Sequence, residues 1–135
     1  MNTTHRLLGI DYGSKRIGLA LTDSTNTFAI PHSVVENSAA ALDDILKICE
    51  ANGVGKIVIG ESHDFAGQPN PIQADIEKFI ERVKARTVLD IVSHPEFLTS
   101  AEAVQVQGKN AMLDASAAAI ILQSYIDTHD QHRRF

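Results

Sequence analysis

The spacing of apolar residues changes along this chain, and that change limits the folds it can adopt. Short, nearly continuous apolar runs predict strands, and three of them open the chain, at Arg6–Asp11, Arg16–Thr22 and Thr27–Val35. Turn-forming residues separate the runs, so together they predict a three-stranded antiparallel meander. Pro31 lies inside the third run, which indicates an edge strand or a bulge.

After the meander, helical and strand patterns alternate. Apolar residues that recur every three to four positions predict helices, and β-branched runs predict buried strands. The predicted elements are a helix at Ser38–Asn52 with Asn37 or Ser38 as its cap, a strand at Lys56–Gly60, a polar loop at Glu61–Asn70, a helix opening at Asn70-Pro71, a buried strand at Val88–Val92, a short helix capped by Thr99 and a final helix at Ala111–Thr128. This order predicts an α/β fold with one mixed sheet flanked by helices, in which the two later strands run parallel to the first.

Length and composition exclude several classes of protein. The 135 residues, without repeat or linker, fit one domain spanning 1–135. No apolar run approaches the roughly 20 residues that span a membrane, and the polar segment Met1–Arg6 is not a secretory signal, so we expect a cytoplasmic protein that does not bind membranes. Cys49, the single cysteine, is expected to be a small core residue.

The charge balance constrains the partners. Twelve basic and 17 acidic residues give a net charge of −5, which argues against binding nucleic acid through bulk positive charge. It does not exclude an enzyme whose acidic groups hold a metal ion against a nucleic-acid backbone.

Four carboxylates are predicted to meet at one edge of the sheet. Asp11 ends the first strand, Glu61 follows the fourth, and Glu96 follows the fifth. The carboxyl ends of parallel strands share one edge, where sites form in open α/β sheets. Asp114, near the start of the final helix, lies behind a loop that could bring it to the same edge.

Such a cluster needs a cation, because neighbouring carboxylates repel one another. Oxygen ligands without cysteine favour Mg²⁺ or Mn²⁺. Two such ions can hold the attacking and leaving oxygens of a phosphodiester, which is the basis of metal-dependent nucleases.

Each acid also has a structural explanation. Asp11 could form a turn, Glu96 could be a solvated loop acid, and Asp114 could favour the helix dipole. Glu61 fits a loop residue as well as a ligand. Asp23 is expected to close the turn between the second and third strands.

The turn that follows Asp11 predicts a phosphate contact. Gly13 lets the backbone approach a phosphate closely, and the Ser14 hydroxyl can donate to it. Lys15 and Arg16 add positive charge beside the turn. A similar turn opens the phosphate-binding half of sugar kinases and Hsp70 chaperones, but those folds need two such domains to enclose a nucleotide.

Several segments resemble one family. The segment LLGIDYGSKRIGLALTD at Leu7–Asp23 is similar to the opening of the YqgF family, and LDASAAAIILQSYID at Leu113–Asp127 resembles its final helix. KIVIG at Lys56–Gly60 and NPIQADIEKF at Asn70–Phe79 match in the same order, more weakly, and HPEFLTSA begins at His94, where the family has Asp-Glu-Arg followed by Thr-Thr. The family is RNase H-like, related to Holliday-junction resolvases, and is regarded as a group of pre-16S rRNA nucleases.

The resemblance implies an RNase H-like fold and the acids Asp11, Glu96 and Asp114 as metal ligands. It implies a role in processing the 5′ end of pre-16S rRNA, with structured RNA and ribosomal particles as partners and a monomer or weak dimer as the assembly. Thr99 and Ser100 match the family's Thr-Thr and are expected to cap the helix or touch the substrate backbone.

Three departures from the family pattern keep rival functions open. The family's Asp-Glu-Arg reads Pro95-Glu96-Phe97 here, and Glu61-Ser62 replaces an apolar residue and proline. Related junction resolvases carry a Glu near this strand end, so the resemblance implies that Glu61 could supply a fourth acid. The basic content of the loop before the final helix shrinks to Lys109. The rivals are a DNA junction resolvase acting on branched DNA and a ribosome-assembly factor that binds without turnover.

Overall fold

The computed structural model describes residues 5–62, 72–96 and 111–130. Strands and helices alternate in these ranges much as the sequence predicts. They are β1 (Arg6–Tyr12), β2 (Arg16–Thr22), β3 (Ala29–Glu36), α1 (Ala41–Asn52), β4 (Val54–Ser62), α2 (Ile72–Arg86), β5 (Asp90–Glu96) and α3 (Ala111–Asp130). The predicted short helix at Thr99 and the Asn70-Pro71 helix start lie outside the described residues.

The five strands form one mixed sheet in the order β3-β2-β1-β4-β5. The first three strands pair antiparallel, and β1, β4 and β5 pair parallel. The predicted meander, the parallel crossovers and the α/β class are therefore confirmed. No helix in the described part of the chain is long and apolar enough to cross a membrane.

Both alternatives predicted for Pro31, an edge strand and a bulge, are confirmed. It lies in β3, which is an edge strand, and the register with β2 shifts between Leu19 and Ala20, so that they face Ser33 and Pro31. The opposite edge strand, β5, also contains a proline, Pro95. Both edges of the sheet therefore include a residue that has no N–H to donate.

The limits of β4 and β5 differ from the prediction. Residues 61 and 62, predicted to begin a loop, continue β4 and pair with residues 95 and 96 of β5. The predicted strand Val88–Val92 was wrong at its start, because β5 begins at Asp90 and the side chain of Val88 is fully exposed. As an edge strand, β5 has only half-buried side chains at Ile91 and Val92 rather than fully buried ones.

Two apolar layers hold helices against opposite faces of the sheet. One layer joins α1 and α2 to the face that carries Leu8, Ile10, Ile57 and Ile59. The other joins α3 to the opposite face, through residues that include Val58 and Leu122 in separate elements. The sheet is therefore covered on both sides, as parallel strands require.

The ends of α1 show where capping residues act. The helix ends at Asn52, as predicted, and Gly53 follows it in a left-handed conformation with φ 66°. At the start, the predicted cap was wrong: α1 begins at Ala41 with Ala40 as its N-cap, and no side chain caps it. The Ser38 hydroxyl accepts a 3.3 Å hydrogen bond from the Ala40 N–H, which lies before the helix. Asn37, the other predicted cap, does not serve the helix, because its amide group donates to Gly13 in the β1–β2 turn.

The turn between β2 and β3 depends on Asp23, as predicted. Its carboxylate accepts hydrogen bonds from the backbone N–H groups of Thr27, at 2.8 Å, and Phe28, at 3.3 Å, and from the Thr25 hydroxyl. The Thr27 N–H is the largest of the causes that hold the pKa of Asp23 below its ordinary value. Asn26 occupies the left-handed region in this turn, with φ 58°.

Two glycines let α3 approach the sheet closely. A Cβ atom added to Gly9 would lie 2.7 Å from the Leu122 Cβ, and one added to Gly60 would lie 2.6 Å from the Ile121 Cδ1. Both distances are shorter than carbon–carbon contacts in proteins, which are about 3.5–4.0 Å. At Gly9 the added atom would also meet the helix backbone, at the Ala118 carbonyl oxygen, whereas at Gly60 it would meet only the Ile121 side chain.

Candidate active site at the carboxyl end of the parallel strands

Asp11 lies on the α3 face of the sheet, close to the carboxyl end of β1. Side chains alternate along a strand, so Asp11 shares the face of Gly9, which contacts α3, while Ile10 lies in the layer below α1 and α2. Asp11 is half-buried and pairs with Gly18 of β2. The predicted acid therefore belongs to a paired strand in the middle of the sheet.

The end of β1 is anchored on the opposite face by an aromatic contact. The rings of Tyr12 and Phe79 lie 4.9 Å apart between centroids, at 41°, and Tyr12 packs against the α1–α2 layer. The Arg82 guanidinium lies 5.5 Å from the Phe79 ring centroid, above the same pair. The end of the strand that carries Asp11 is therefore held in place by packing on the α1–α2 face of the sheet.

Helix α3 runs antiparallel to the parallel strands. Lys56, near the start of β4, donates a hydrogen bond of 3.2 Å to the Tyr125 hydroxyl. Gly60, near the end of the same strand, lies against Ile121, which is one turn earlier in the helix. The N-terminal end of α3 is therefore directed toward the carboxyl ends of the strands.

This direction brings the backbone of Asp114 level with Asp11. The Ala118 carbonyl oxygen lies 3.0 Å from a Cβ position at Gly9. Asp11 is two residues further along β1, a rise of about 6.6 Å, and Asp114 is four residues earlier in α3, a rise of about 6 Å. For Asp114 the structure describes the backbone and not the side chain.

Glu96 ends β5 at the same edge of the sheet. Gly60 pairs with His94, and Ser62 pairs with Glu96, so position 96 lies two residues beyond the level of Gly60 and has the same strand parity. Val92, which shares that parity, packs in the α3 layer. As with Asp114, only the backbone of Glu96 is described.

Glu61 differs in strand parity from Asp11 and Glu96, the two other acids that lie in strands. It follows Gly60, which contacts α3, and it is two residues beyond Ile59, which packs in the layer of α1 and α2. Alternation therefore assigns Glu61 to the face opposite Asp11. Among the described side chains, no three acidic, histidine or cysteine residues form a group that could hold a metal ion, and this set excludes the side chains of Glu96 and Asp114.

The turn that follows Asp11 is tight and exposed. A Cβ atom at Gly13 would lie 2.5 Å from the Arg16 carbonyl oxygen, so the turn itself requires glycine at this position. The side chains of Ser14, Lys15 and Arg16 are exposed beside it. The residues predicted to contact a phosphate thus share one surface, next to Asp11. Thr99, Ser100 and Lys109, the other predicted nucleic-acid contacts, lie outside the described residues.

Sequence reasoning missed two contacts near this edge. The His94 Nε2 lies 2.9 Å from the Ser124 hydroxyl, and the His94 ring meets the Tyr125 ring edge-on, with centroids 5.9 Å apart. These contacts join β5 directly to α3. The second is the contact between Asn37 and the β1–β2 turn, where Asn37 donates hydrogen bonds to the carbonyl oxygens of Gly13 and Lys15. Asn37 is polar and follows a strand, which had suggested a helix cap.

The fold of this chain is similar to that of a solved protein. The sheet and helices match those of Thermus thermophilus RuvC, solved in complex with a Holliday junction substrate, with a TM-score of 0.61 and 16% identity over 93% of this chain and 96% of that chain. The RNase H-like architecture of the resolvases, which the sequence resemblance predicted, is therefore confirmed.

The family follows from the sequence match. The RuvX family, described as Holliday junction resolvase, matches residues 5–128, and this chain belongs to that family. RuvX is the YqgF family, so the predicted membership is confirmed.

Curated relatives align over almost the whole chain. A protein of Ehrlichia chaffeensis named "Putative pre-16S rRNA nuclease" is 33% identical, over 94% of this chain and 88% of its own length. A protein of Desulforudis audaxviator with the same name is 30% identical, over 95% and 98%. The chain is thus a member of a family of nucleases.

Proposed function

We propose that this protein is a metal-dependent endonuclease that hydrolyses phosphodiester bonds of structured RNA. The observation that carries the proposal is the arrangement of three acid-bearing backbone positions. Residues 11, 96 and 114 come from β1, β5 and α3, and all three lie at the carboxyl edge on the α3 side of the sheet. Sites of open α/β sheets form at this edge.

The donor chemistry of Asp11, Glu96 and Asp114 fits Mg²⁺ or Mn²⁺. All three offer carboxylate oxygens, and such hard oxygen donors suit these ions. Bound there, the metal ions would stabilise the charge that develops on the phosphodiester as it is cut. Asp11 would hold the metal from a strand in the middle of the sheet, and Glu96 and Asp114 would supply the other carboxylates. The parity of Glu61 argues that it belongs outside this set.

The basic side chains beside Asp11 support a nucleic-acid substrate. Lys15 and Arg16 are exposed on the turn that follows the acid, where they could bind phosphates on either side of the cleaved bond. The net charge of −5 means that positive charge is local rather than general. Thr99, Ser100 and Lys109 remain candidates for further contacts with the substrate backbone.

The substrate that we favour is pre-16S rRNA, cut at its 5′ end during ribosome biogenesis. Support comes from the relatives, whose names give this precursor as their substrate. Branched DNA is the second candidate, because the family is described as Holliday junction resolvase and a similar fold binds a junction in the Thermus thermophilus complex.

One substitution tests the proposed mechanism. Asp11→Asn keeps the shape of the side chain and removes its charge, so we expect cleavage of labelled rRNA precursor in Mn²⁺ or Mg²⁺ to fall by more than about 100-fold, since even the partners of metal ligands cost about 10–100-fold. Asp44→Asn is the matched control, because Asp44 is exposed on α1, on the other side of the sheet. The two variants should have the same urea midpoint.

Further variants rank the acids and separate the rival functions. Asp114→Asn should reduce cleavage as Asp11→Asn does, whereas Glu61→Gln should leave it within about twofold, which parity predicts. Preferential cutting of a four-way DNA junction would indicate a resolvase. Tight binding of the precursor, with no cleavage in any divalent metal, would contradict the nuclease and indicate an assembly factor.

A further inference from the structure

Asn37, the residue after β3, fastens the turn between β1 and β2. Its side-chain amide donates a hydrogen bond of 2.9 Å to the Gly13 carbonyl oxygen. Its backbone N–H donates another, also 2.9 Å, to the Lys15 carbonyl oxygen. One half-buried residue therefore binds two carbonyl groups of a turn that lies more than twenty positions away in the sequence.

These two hydrogen bonds determine which backbone groups of the turn face away from Asn37. In a trans peptide the C=O and the following N–H point in opposite directions, and none of the peptide bonds among the described residues is cis. Because the Gly13 carbonyl points toward Asn37, the Ser14 N–H points away from it. Within the described part of the chain, the Ser14 N–H donates to no other group.

Anion binding favours such an arrangement. Carbonyl oxygens repel a phosphate, and here two of them are turned toward Asn37, while an amide donor, the Ser14 hydroxyl and the Lys15 ammonium group remain on the exposed side. Successive donors in a turn form an anion-binding concavity. Its position immediately after Asp11 suits a phosphate that flanks the cleaved bond.

We propose that Asn37 is a positioning residue for nucleic-acid binding: it holds the Gly13–Lys15 turn in the conformation that binds one phosphate of the substrate strand. The inference rests on the proposed function, because it assumes that this turn contacts the substrate. It adds a residue that touches neither the metal ions nor the reacting atoms. Losing Asn37 should weaken substrate binding without impairing the chemical step.

The test measures binding without metal. Asn37→Ala removes the side-chain bond to Gly13 but keeps the backbone bond to Lys15. Asn52→Ala is the matched control, because the Asn52 amide also donates a 2.8 Å bond to a backbone carbonyl, that of Ile48, at the far end of the sheet. Fluorescence anisotropy in EDTA with a labelled RNA hairpin and a four-way DNA junction reports the Kd of each variant.

We expect Asn37→Ala to raise the Kd by about 3- to 10-fold, the factor that corresponds to one lost hydrogen bond, and Asn52→Ala to leave it unchanged. Both variants should lose similar stability in urea. In a Lys15→Ala background, Asn37→Ala should have little further effect on binding, because the contact that it positions is already weakened. In cleavage assays Asn37→Ala should raise KM and leave kcat within about twofold.

The outcomes separate this inference from the proposed function. If the wild-type protein binds and Asn37→Ala binds equally well, or if Asn52→Ala weakens binding as much, the positioning role is refuted and the nuclease proposal stands. If the protein binds but does not cleave in metal, the nuclease proposal fails and a weakened Asn37→Ala still supports the positioning role. Absence of wild-type binding to both probes would refute the positioning role, while cleavage of the precursor in Mn²⁺ or Mg²⁺ decides the nuclease proposal separately.

Discussion

Gly9→Ala tests the packing that brings α3 over the candidate site. The added methyl group would lie 2.7 Å from the Leu122 Cβ and 3.0 Å from the Ala118 carbonyl oxygen. The first distance is about 1 Å shorter than an ordinary carbon–carbon contact. Neither neighbour can rotate away, because one is a Cβ atom and the other belongs to the helix backbone. Either α3 must move outward or β1 must bend.

The magnitude follows from two opposing effects. Overpacking of a core costs about 1–3 kcal/mol, whereas replacing glycine with alanine gains about 0.4–1 kcal/mol by restricting the unfolded chain. We therefore expect Gly9→Ala to lower the free energy of unfolding by about 1–2 kcal/mol. Gly60→Ala is the comparison, because its methyl group would meet the far end of the Ile121 side chain, which can change rotamer at lower cost.

Urea unfolding followed by circular dichroism measures both variants. Gly9→Ala should be the more destabilised of the two, because its methyl group meets a Cβ atom and the helix backbone. A Gly9→Ala variant within about 0.5 kcal/mol of wild type would refute the packing of α3 on β1.

Two further predictions concern titrating groups. Hydrogen bonding holds the pKa of Asp23 below its ordinary value of 3.8, so the stability that Asp23 contributes is present above that pH and is lost as the pH falls through the lowered value. Below about pH 5, the urea midpoint of Asp23→Asn should therefore fall less than that of wild type. Equal falls in the two proteins would contradict this. Burial raises the pKa of the Cys49 thiol to about 11, so Ellman's reagent should label the thiol only after the protein unfolds. Rapid labelling of the native protein would contradict a buried thiol.

The sequence predicts the central strands well because burial on both faces leaves an unambiguous pattern. Ile57, Val58 and Ile59 are fully buried, and their continuous β-branched run allows no other assignment. The edge strand β5 was harder to predict, since Val88 is as apolar as Val92 but is fully exposed. The start of β5 is determined by its pairing with β4, in which Asp90 lies opposite Lys56. The sequence of β5 alone does not predict that register.

The sequence predicted only part of the candidate site, because the limits of the strands were again uncertain. A strand end followed by a polar residue identifies Asp11, Glu61 and Glu96 as edge residues, but assigning each to a face requires the exact strand limits. Because β4 continues to Ser62, parity separates Glu61 from Asp11, which a loop at Glu61 would not have done. Asn37 was missed because its partners are backbone groups of a distant turn, which leave no pattern near Asn37 itself.

The prolines in the two outermost strands bear on how this protein behaves at high concentration. A sixth strand from a neighbouring molecule would need an uninterrupted row of N–H donors, and both Pro31 and Pro95 interrupt that row. The exposed side chains of Phe28 and Ile30 lie beside one such interruption. Because Pro31 lacks an N–H that an added strand would need, we expect replacing Pro31 with valine to make association through β3 easier at high concentration.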